Sequence, residues 1–381
     1  MPVGEQEVLF RTGRQDETLP GSVGVAILNR PKALNALNEP MCKTLHRLYD
    51  DWDASPDVHA ILVKGAGGKA FCAGGDVKGM VQYILAGQHD KAISFFREEY
   101  RLNHRLGTLQ TPHIALIDGI VMGGGAGISV HGAYRVATER TVFAMPECGI
   151  GLFPDVGASY FLPRLPGQLG TYLGLTGRRL KGIEVKEAQL ATHYVASERL
   201  PALEEMLHAM DPQSQSPEQI RRSLQTFEDE GEPPEPSGLL DQMPAINECF
   251  DFDSLQEIYA ALERRDDAWS RETLDTLHKS SKLSQVVVLL ELREGAGKSL
   301  AECLRMEFRM VHQCVTGKSD FIEGVRALLI DKTGKPQWDP SSIEQVTKEM
   351  VDRFFEPLPP GEELHLEQQG VERLNAANSK L

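Results

Sequence analysis

Two carboxylates and two glycine runs are the parts of this 381-residue chain best suited to chemistry. Residues 145–157 (MPECGIGLFPDVG) set Glu147 and Asp155 in an otherwise apolar, turn-rich segment. An acid in apolar surroundings has a raised pKa and can serve as base, nucleophile or acid. Plainer readings stand beside this one: Asp155 as the N-cap of a helix opening near Gly157, and Glu147 as a solvated loop acid. Upstream lie residues 69–76 (KAFCAGGD) and 121–127 (VMGGGAG). Each follows a predicted strand and leads into a predicted helix. Glycine lets the backbone approach a ligand with no Cβ in the way. The first N–H groups of a helix are unpaired and carry partial positive charge. One such group from each loop would form an oxyanion hole around a carbonyl oxygen. A single glycine run is more often a tight turn than an active site, and composition alone does not decide between the two. Neither run is a GxxxxGK[ST] phosphate loop or a clean GxGxxG dinucleotide motif.

The elements that must position these residues alternate in type. Strands are predicted over 22–29, 59–64, 113–118, 134–138, 141–143 and 192–195, from β-branched runs bounded by Gly and Pro. Helices are predicted over 39–54, 77–86, 90–109, 157–165 and 168–175, from apolar residues at helical spacing. Residues 65–75 read as a glycine-rich loop. Strands alternating with helices imply an α/β layered fold with right-handed crossovers. From Ser197 onward the pattern is mostly helical. Residues 228–237 (EDEGEPPEPS) are acidic and proline-rich and read as a linker or exposed loop. The expected organisation is an active-site core over 1–210, a linker over 211–240 and a mainly helical C-terminal region over 241–381.

Bulk composition excludes several classes. Lys and Arg total 40 against 55 Asp and Glu, a formal net charge of −15. No basic face of the kind nucleic-acid binding needs is evident. No apolar run approaches the ~20 residues of a membrane-spanning helix. The six cysteines form no CxxC pair and no zinc-spaced cluster, which fits a reducing compartment and no structural metal. The first 20 residues have neither a secretory apolar segment nor Arg-rich transit character. The last three, Ser379-Lys380-Leu381, read as a peroxisomal address recognised by an import receptor. The mitochondrial matrix is the alternative location.

The motifs FCAGGD (71–76), MGGGAG (122–127) and MPECGIGLFPD (145–155), in this order and spacing, resemble the crotonase superfamily, the enoyl-CoA hydratases and isomerases and their relatives. The flanking NRPKALNAL (29–37), FFREEY (95–100) and FIEGVRA (321–327) match as well, so the resemblance runs from about residue 23 to about residue 340. It is to the branch that hydrolyses 3-hydroxyacyl-CoA thioesters. The resemblance implies a ββα spiral core with a mainly helical C-terminal region. It also implies hydrolysis of 3-hydroxyisobutyryl-CoA, with 3-hydroxypropionyl-CoA as a second substrate, in valine breakdown. By motif match, Gly75 and Gly124 would donate the oxyanion-hole N–H groups. Glu147 would be the catalytic glutamate, Asp155 the second carboxylate, and Glu99 a substrate-site glutamate on the helix covering the pocket. Backbone around Ala33, Leu34, Ala73 and Gly74 would hold the adenine and pantetheine of CoA, with Lys32 and Lys69 near its phosphates. No metal or redox cofactor is implied, since CoA arrives as part of the substrate. Plant-type members of the branch carry a similar peroxisomal tail. The sequence leaves homo-oligomer formation open.

Two alternatives follow from the same resemblance. Hydratases of the superfamily use two glutamates, one at the position of Gly127 and one at that of Glu147, and typically carry glycine where this chain has Asp155. Losing the first carboxylate and gaining the second marks the hydrolase branch. A non-catalytic acyl-CoA binder on this fold would usually lack the acids or the loop glycines that are present here. One departure stands out: residues 280–282 read Ser-Ser-Lys where relatives open a helix with Ser-Pro.

Overall fold

The computed structural model of the chain describes residues 6–12, 23–210, 216–231 and 234–366. Its strands, in chain order, are β1 (Val8–Arg11), β2 (Val23–Leu28), β3 (Ala60–Gly65), β4 (Ala70–Cys72), β5 (His113–Ile117), β6 (Ile120–Met122), β7 (Tyr134–Ala137), β8 (Val142–Ala144), β9 (Leu180–Lys181) and β10 (His193–Tyr194). They form a six-stranded sheet in the order β1-β2-β3-β5-β7-β10 and a four-stranded sheet in the order β4-β6-β8-β9. All neighbours are parallel except β1 with β2 and β8 with β9.

The chain climbs through both sheets as a spiral. The pairs β3/β4, β5/β6 and β7/β8 each place one strand in the large sheet and the next in the small one. Helices then close each turn. After α1 (Glu39–Asp53) comes the first spiral turn, closed by α2 (Val77–Leu85) and α3 (His89–Thr108); the later turns are closed by α4 (Gly124–Gly127) and α5 (Ala158–Phe161). This is the ββα spiral that the motifs imply. The sequence pattern misses β1, β4, β6 and β9; strands of two to four residues show no period, and β7, β8 and β10 are read from their β-rich composition alone.

Register carries the functional consequence. Cys72 of β4 pairs with Val121 of β6, and Met122 of β6 pairs with Ala144 of β8. The segments leaving β4, β6 and β8 therefore stack on one another. They are the two glycine runs and the acidic loop.

Both faces of the large sheet are covered, so its strands are apolar throughout rather than alternating. Ala26, Ile61, Val63, Ala115 and Ile117 face a main core shared with α1, α3 and the small sheet. Val25, Ala60, Leu62, Ile114 and Leu116 face a second core under the helices Leu200–Ala209 and Pro217–Asp229. That last helix falls inside the span expected as linker. Ser216 caps it by accepting from the Gln219 N–H at 3.2 Å, and Ile220 and Leu224 are fully buried. The proline-rich signal begins only at its far end, which is why composition placed the linker too early.

The C-terminal helices share the main core. Ile246, Val287 and Phe308 belong to the same cluster as Phe71 and Phe143. At residues 280–282 the lysine takes over a capping task. Lys282 Nζ donates to the Leu277 and His278 carbonyls at 2.6 and 3.1 Å, at the end of the preceding helix. The Ser281 hydroxyl caps the helix Lys282–Ala296 by accepting from the Ser284 N–H.

Candidate active site

The two glycine runs meet. Gly123 has φ +47 and ψ −119, a backbone that L side chains rarely adopt, and it swings the chain from β6 into α4. A Cβ added to Gly124 would lie 3.2 Å from the Gly75 nitrogen, so the two loops touch at these residues. Among the described residues, neither the Gly75 nor the Gly124 N–H donates to a backbone carbonyl. The fold thus brings together the two residues whose N–H groups the motifs nominate as donors.

The acidic loop lies against them. A Cβ on Gly123 would stand 2.8 Å from Oε1 of Glu147, which places that carboxyl on the Gly123–Gly124 turn. Glu147 opens a short 3₁₀ turn right after β8 and is buried, with Oε2 lacking any protein partner among the described residues. Glu99 reaches the same place from α3. Its Oε1 would clash with a Cβ on Gly124, lies 3.7 Å from one on Gly75, and likewise has no partner. Asp155 is the third acid. It accepts a 2.8 Å hydrogen bond from the Tyr100 hydroxyl.

Three buried carboxyls in one place cannot all be charged at ordinary cost. Burial pushes Glu147 well above the ordinary glutamate range, and the charge of Asp155 adds to the rise. Burial, then the charges of Asp155 and Glu147, does the same to Glu99. Asp155 rises less, to about 6: burial lifts it, and the hydrogen bond from Tyr100 pulls it back. The arrangement thus supplies an acid–base cluster beside a pair of N–H donors, the elements needed to attack and stabilise a carbonyl.

The segments expected to hold CoA run together. Leu34 O accepts from the Ala73 N–H at 3.0 Å, and Gly74 O accepts from the Leu37 N–H at 2.8 Å. Leu34 and Asn35 both have positive φ, and the Asn35 amide fixes this turn by donating to the Ala66 and Ala70 carbonyls at 2.9 Å each. Ala33, Leu34, Ala73 and Gly74 therefore form one continuous edge, with Lys32 and Lys69 exposed nearby along the chain. Two surface cavities of about 490 and 420 Å³ lie elsewhere, and neither is lined by any of the three acids.

Several residues at the site had no signal in the sequence for their role. Tyr100 ends the FFREEY motif, but nothing in the sequence assigns its hydroxyl to Asp155. Glu307, on the helix Leu300–Thr316, accepts from the Gly157 N–H just beyond Asp155. Glu291 is fully buried, with both oxygens unpartnered among the described residues. All six cysteines are free and buried, and burial raises the thiol pKa of Cys148 beside Glu147 well above its ordinary value. A thiol in that state is a poor nucleophile.

The chain is similar to several known proteins. A protein of Xenopus laevis named "3-hydroxyisobutyryl-CoA hydrolase, mitochondrial" is 47% identical over 343 residues, 90% of this chain and 88% of that protein. The Arabidopsis thaliana "3-hydroxyisobutyryl-CoA hydrolase-like protein 1, mitochondrial" is 43% identical over 348 residues, 90% of this chain and 86% of that one. A crystal structure described as a carnitinyl-CoA dehydratase from Mycobacterium thermoresistibile superimposes with a TM-score of 0.85 at 35% identity, covering 96% of this chain and all of that one. The family model for enoyl-CoA hydratase/isomerase matches residues 23–355, and the chain belongs to that family.

Proposed function

We propose that this protein hydrolyses 3-hydroxyisobutyryl-CoA to 3-hydroxyisobutyrate and CoA, a step of valine catabolism, with 3-hydroxypropionyl-CoA as a second substrate. The observation that carries the reading is the Glu147 carboxyl packed on the Gly123–Gly124 turn beside the N–H groups of Gly75 and Gly124. The thioester oxygen would lie between those N–H groups. They stabilise the charge that develops as the carbonyl is attacked, and losing one such donor costs on the order of 3–4 kcal/mol. Glu147 attacks the carbonyl carbon, the C–S bond breaks, and CoA leaves as a thiolate that takes up a proton. Water then cleaves the mixed anhydride, releasing the hydroxy acid and restoring Glu147. In the other route, Glu147 takes a proton from water and the water attacks directly. Asp155 accepts from the 3-hydroxyl of the substrate, and Glu99 lines the same space. The backbone edge at Ala33, Leu34, Ala73 and Gly74 holds the CoA arm.

The names of the relatives favour hydrolysis, while one solved structure that superimposes well is described as a dehydratase and another as an enoyl-CoA hydratase. Water addition or removal at a C=C bond would use a second glutamate at position 127. A Cβ there would lie 2.6 Å from the Val156 Cβ and 2.7 Å from the Asn103 Nδ2, so the space for that side chain is filled. A panel of acyl-CoA esters assayed for thiol release, with crotonyl-CoA assayed for hydration in parallel, tests the reading. Rapid thiol release from the 3-hydroxy esters is expected. Robust crotonyl-CoA hydration without thiol release would replace hydrolysis by hydratase activity.

The relatives are named mitochondrial. Ser379-Lys380-Leu381 lie outside the described residues; at a free carboxyl terminus they would read as a peroxisomal address. We propose peroxisomal delivery through that tripeptide.

A further inference from the structure

The residue that follows Asp155 is strained. Val156 has φ +58, in the left-handed region, where a β-branched side chain is an outlier. Such a conformation persists only when the surroundings over-determine it. Here the peptide that joins Val156 to Gly157 is gripped at both ends. Its carbonyl, on Val156, is 2.7 Å from Nε2 of His131. A carbonyl only accepts, so that nitrogen carries the proton. Burial pushes the His131 pKa down to about 4, which keeps the ring neutral. The N–H of the same peptide, on Gly157, donates to Oε2 of Glu307 at 2.7 Å. The other Glu307 oxygen accepts from the Ser159 N–H at 3.0 Å and from the Ser159 hydroxyl at 2.6 Å.

The two grips come from distant parts of the chain. His131 follows α4 in the spiral, and Glu307 stands on the helix Leu300–Thr316, 150 residues beyond Gly157. Phe308, the next residue on that helix, stacks edge-on against Tyr100 with ring centroids 6.2 Å apart. The same helix turn therefore bears on both the loop that carries Asp155 and the phenol that holds its carboxylate.

We infer that Glu307 and His131 are positioning residues that clamp the Val156–Gly157 peptide and so aim the Asp155 carboxyl at the substrate hydroxyl. The inference rests on the proposed hydrolase reading for the identity of that hydroxyl. It gives the helical C-terminal region a part in selecting the substrate: its Glu307 supplies one half of the clamp, and the spiral supplies the other.

The test uses the full chain with Glu307→Gln and His131→Phe. Glutamine offers one acceptor oxygen in place of two and sets an NH₂ against an N–H. Phenylalanine removes the donor while leaving a ring to meet Phe161, which His131 contacts edge-on. A merely structural lesion lowers turnover of every ester alike. A loosened Asp155 lowers the preference for 3-hydroxyisobutyryl-CoA over isobutyryl-CoA. The kcat/KM ratio of the two esters is expected to fall about tenfold or more in each variant, the scale set by small displacements of a reacting group. Glycine adopts positive φ without strain, so adding Val156→Gly to Glu307→Gln should restore part of the ratio. Should the glutamine variant not fold, Ser159→Ala removes a single donor to Glu307 and should shift the ratio in the same direction by less. An unchanged ratio in folded variants, or equal losses on both esters, overturns the clamp. A crystal structure of Glu307→Gln gives a readout independent of turnover. Val156 is expected to relax to negative φ and the Tyr100–Asp155 hydrogen bond to open; retention of both features at wild-type geometry overturns the inference. A wild type that does not cleave the hydroxy ester refutes the proposed function, and that structure then still decides whether the clamp places Asp155.

Discussion

The Tyr100 hydroxyl donates to Oδ2 of Asp155 at 2.8 Å across 55 residues of sequence, joining the helix that carries Glu99 to the loop that carries Glu147. A hydrogen bond to a carboxylate favours its charged form, so this one lowers the Asp155 pKa against the lift from burial. Charged Asp155 is the form that accepts from a substrate hydroxyl. Activity on the hydroxy ester should therefore rise with pH, the Asp155 part of the limb setting in near 6 and the more strongly raised Glu147 completing it above. Tyr100→Phe removes the donor and should move that limb upward. It should also lower kcat/KM roughly 10- to 100-fold, the equivalent of about 1.5–3 kcal/mol for a hydrogen bond to a charged group. A pH profile of kcat/KM checks both, and a limb that stays in place refutes the coupling.

Glu147→Gln keeps the shape of the side chain and removes the nucleophile or base. Binding of CoA esters should persist while turnover falls to a trace. A variant that keeps more than about a tenth of wild-type kcat, a loss below roughly 1.4 kcal/mol, would show that Glu147 does not carry the reaction. Single turnover of the wild type in heavy-oxygen water tests the anhydride route with water attacking the Glu147 carbonyl. Label recovered in the Glu147 carboxyl means an anhydride formed.

Substrate choice should depend on Asp155. A buried carboxylate that expects a hydroxyl is left short of a partner when the hydroxyl is missing, at a cost of about 1–3 kcal/mol or more. Sites built around a hydroxyl therefore reject the deoxy analogue strongly. 3-Hydroxyisobutyryl-CoA should be cleaved far faster than isobutyryl-CoA, and Asp155→Gly should erode that preference along with the rate. Equal kcat/KM values for the two esters with the wild-type protein would remove the role given to Asp155.

What the sequence made legible here was local. Glu147, Asp155, Gly75 and Gly124 each sit within a few residues of a recognisable turn, so motif and chemistry coincide. The partners that make them a site come from far along the chain. Tyr100 ends the FFREEY motif on α3 with nothing to assign its hydroxyl to Asp155, and Glu307 looks like a surface acid on an amphipathic helix. Nothing in a period of 3.6 distinguishes a buried carboxylate that caps a distant loop from an exposed one. The same limit explains the short strands of the small sheet. Ala70–Cys72 and Ile120–Met122 are strands because the spiral stacks them, not because three residues announce it. Around Pro217–Asp229 the signals were present, with serine before proline and apolar residues four apart, but the acidic stretch beyond them dominated the composition.

Delivery is testable apart from chemistry. A reporter protein ending in the last residues of this chain should enter peroxisomes, and removal of Ser379, Lys380 and Leu381 should leave it in the cytosol. A mitochondrial pattern for the intact protein would side with the names of its relatives and against the tripeptide.

The acid cluster should also be visible in stability. Asp155 has a folded pKa near 6 against an ordinary value of 3.8, so between those pH values the folded state holds a proton that the unfolded state has released. Stability then falls as pH rises through that window, and the deficit is complete above it. The size is about 3 kcal/mol, the shift multiplied by 1.36 kcal/mol per unit. Asp155→Asn cannot ionise, and its amide oxygen can still accept from Tyr100. The variant should therefore be inactive yet more stable than the wild type at pH 7.5, with a melting temperature a few degrees higher. Its advantage should shrink as the pH is lowered toward 5, where the wild-type carboxyl regains its proton. Melting curves of the two proteins across that range decide the matter. An advantage independent of pH, or an asparagine variant less stable throughout, would mean that Asp155 is not strained by its burial.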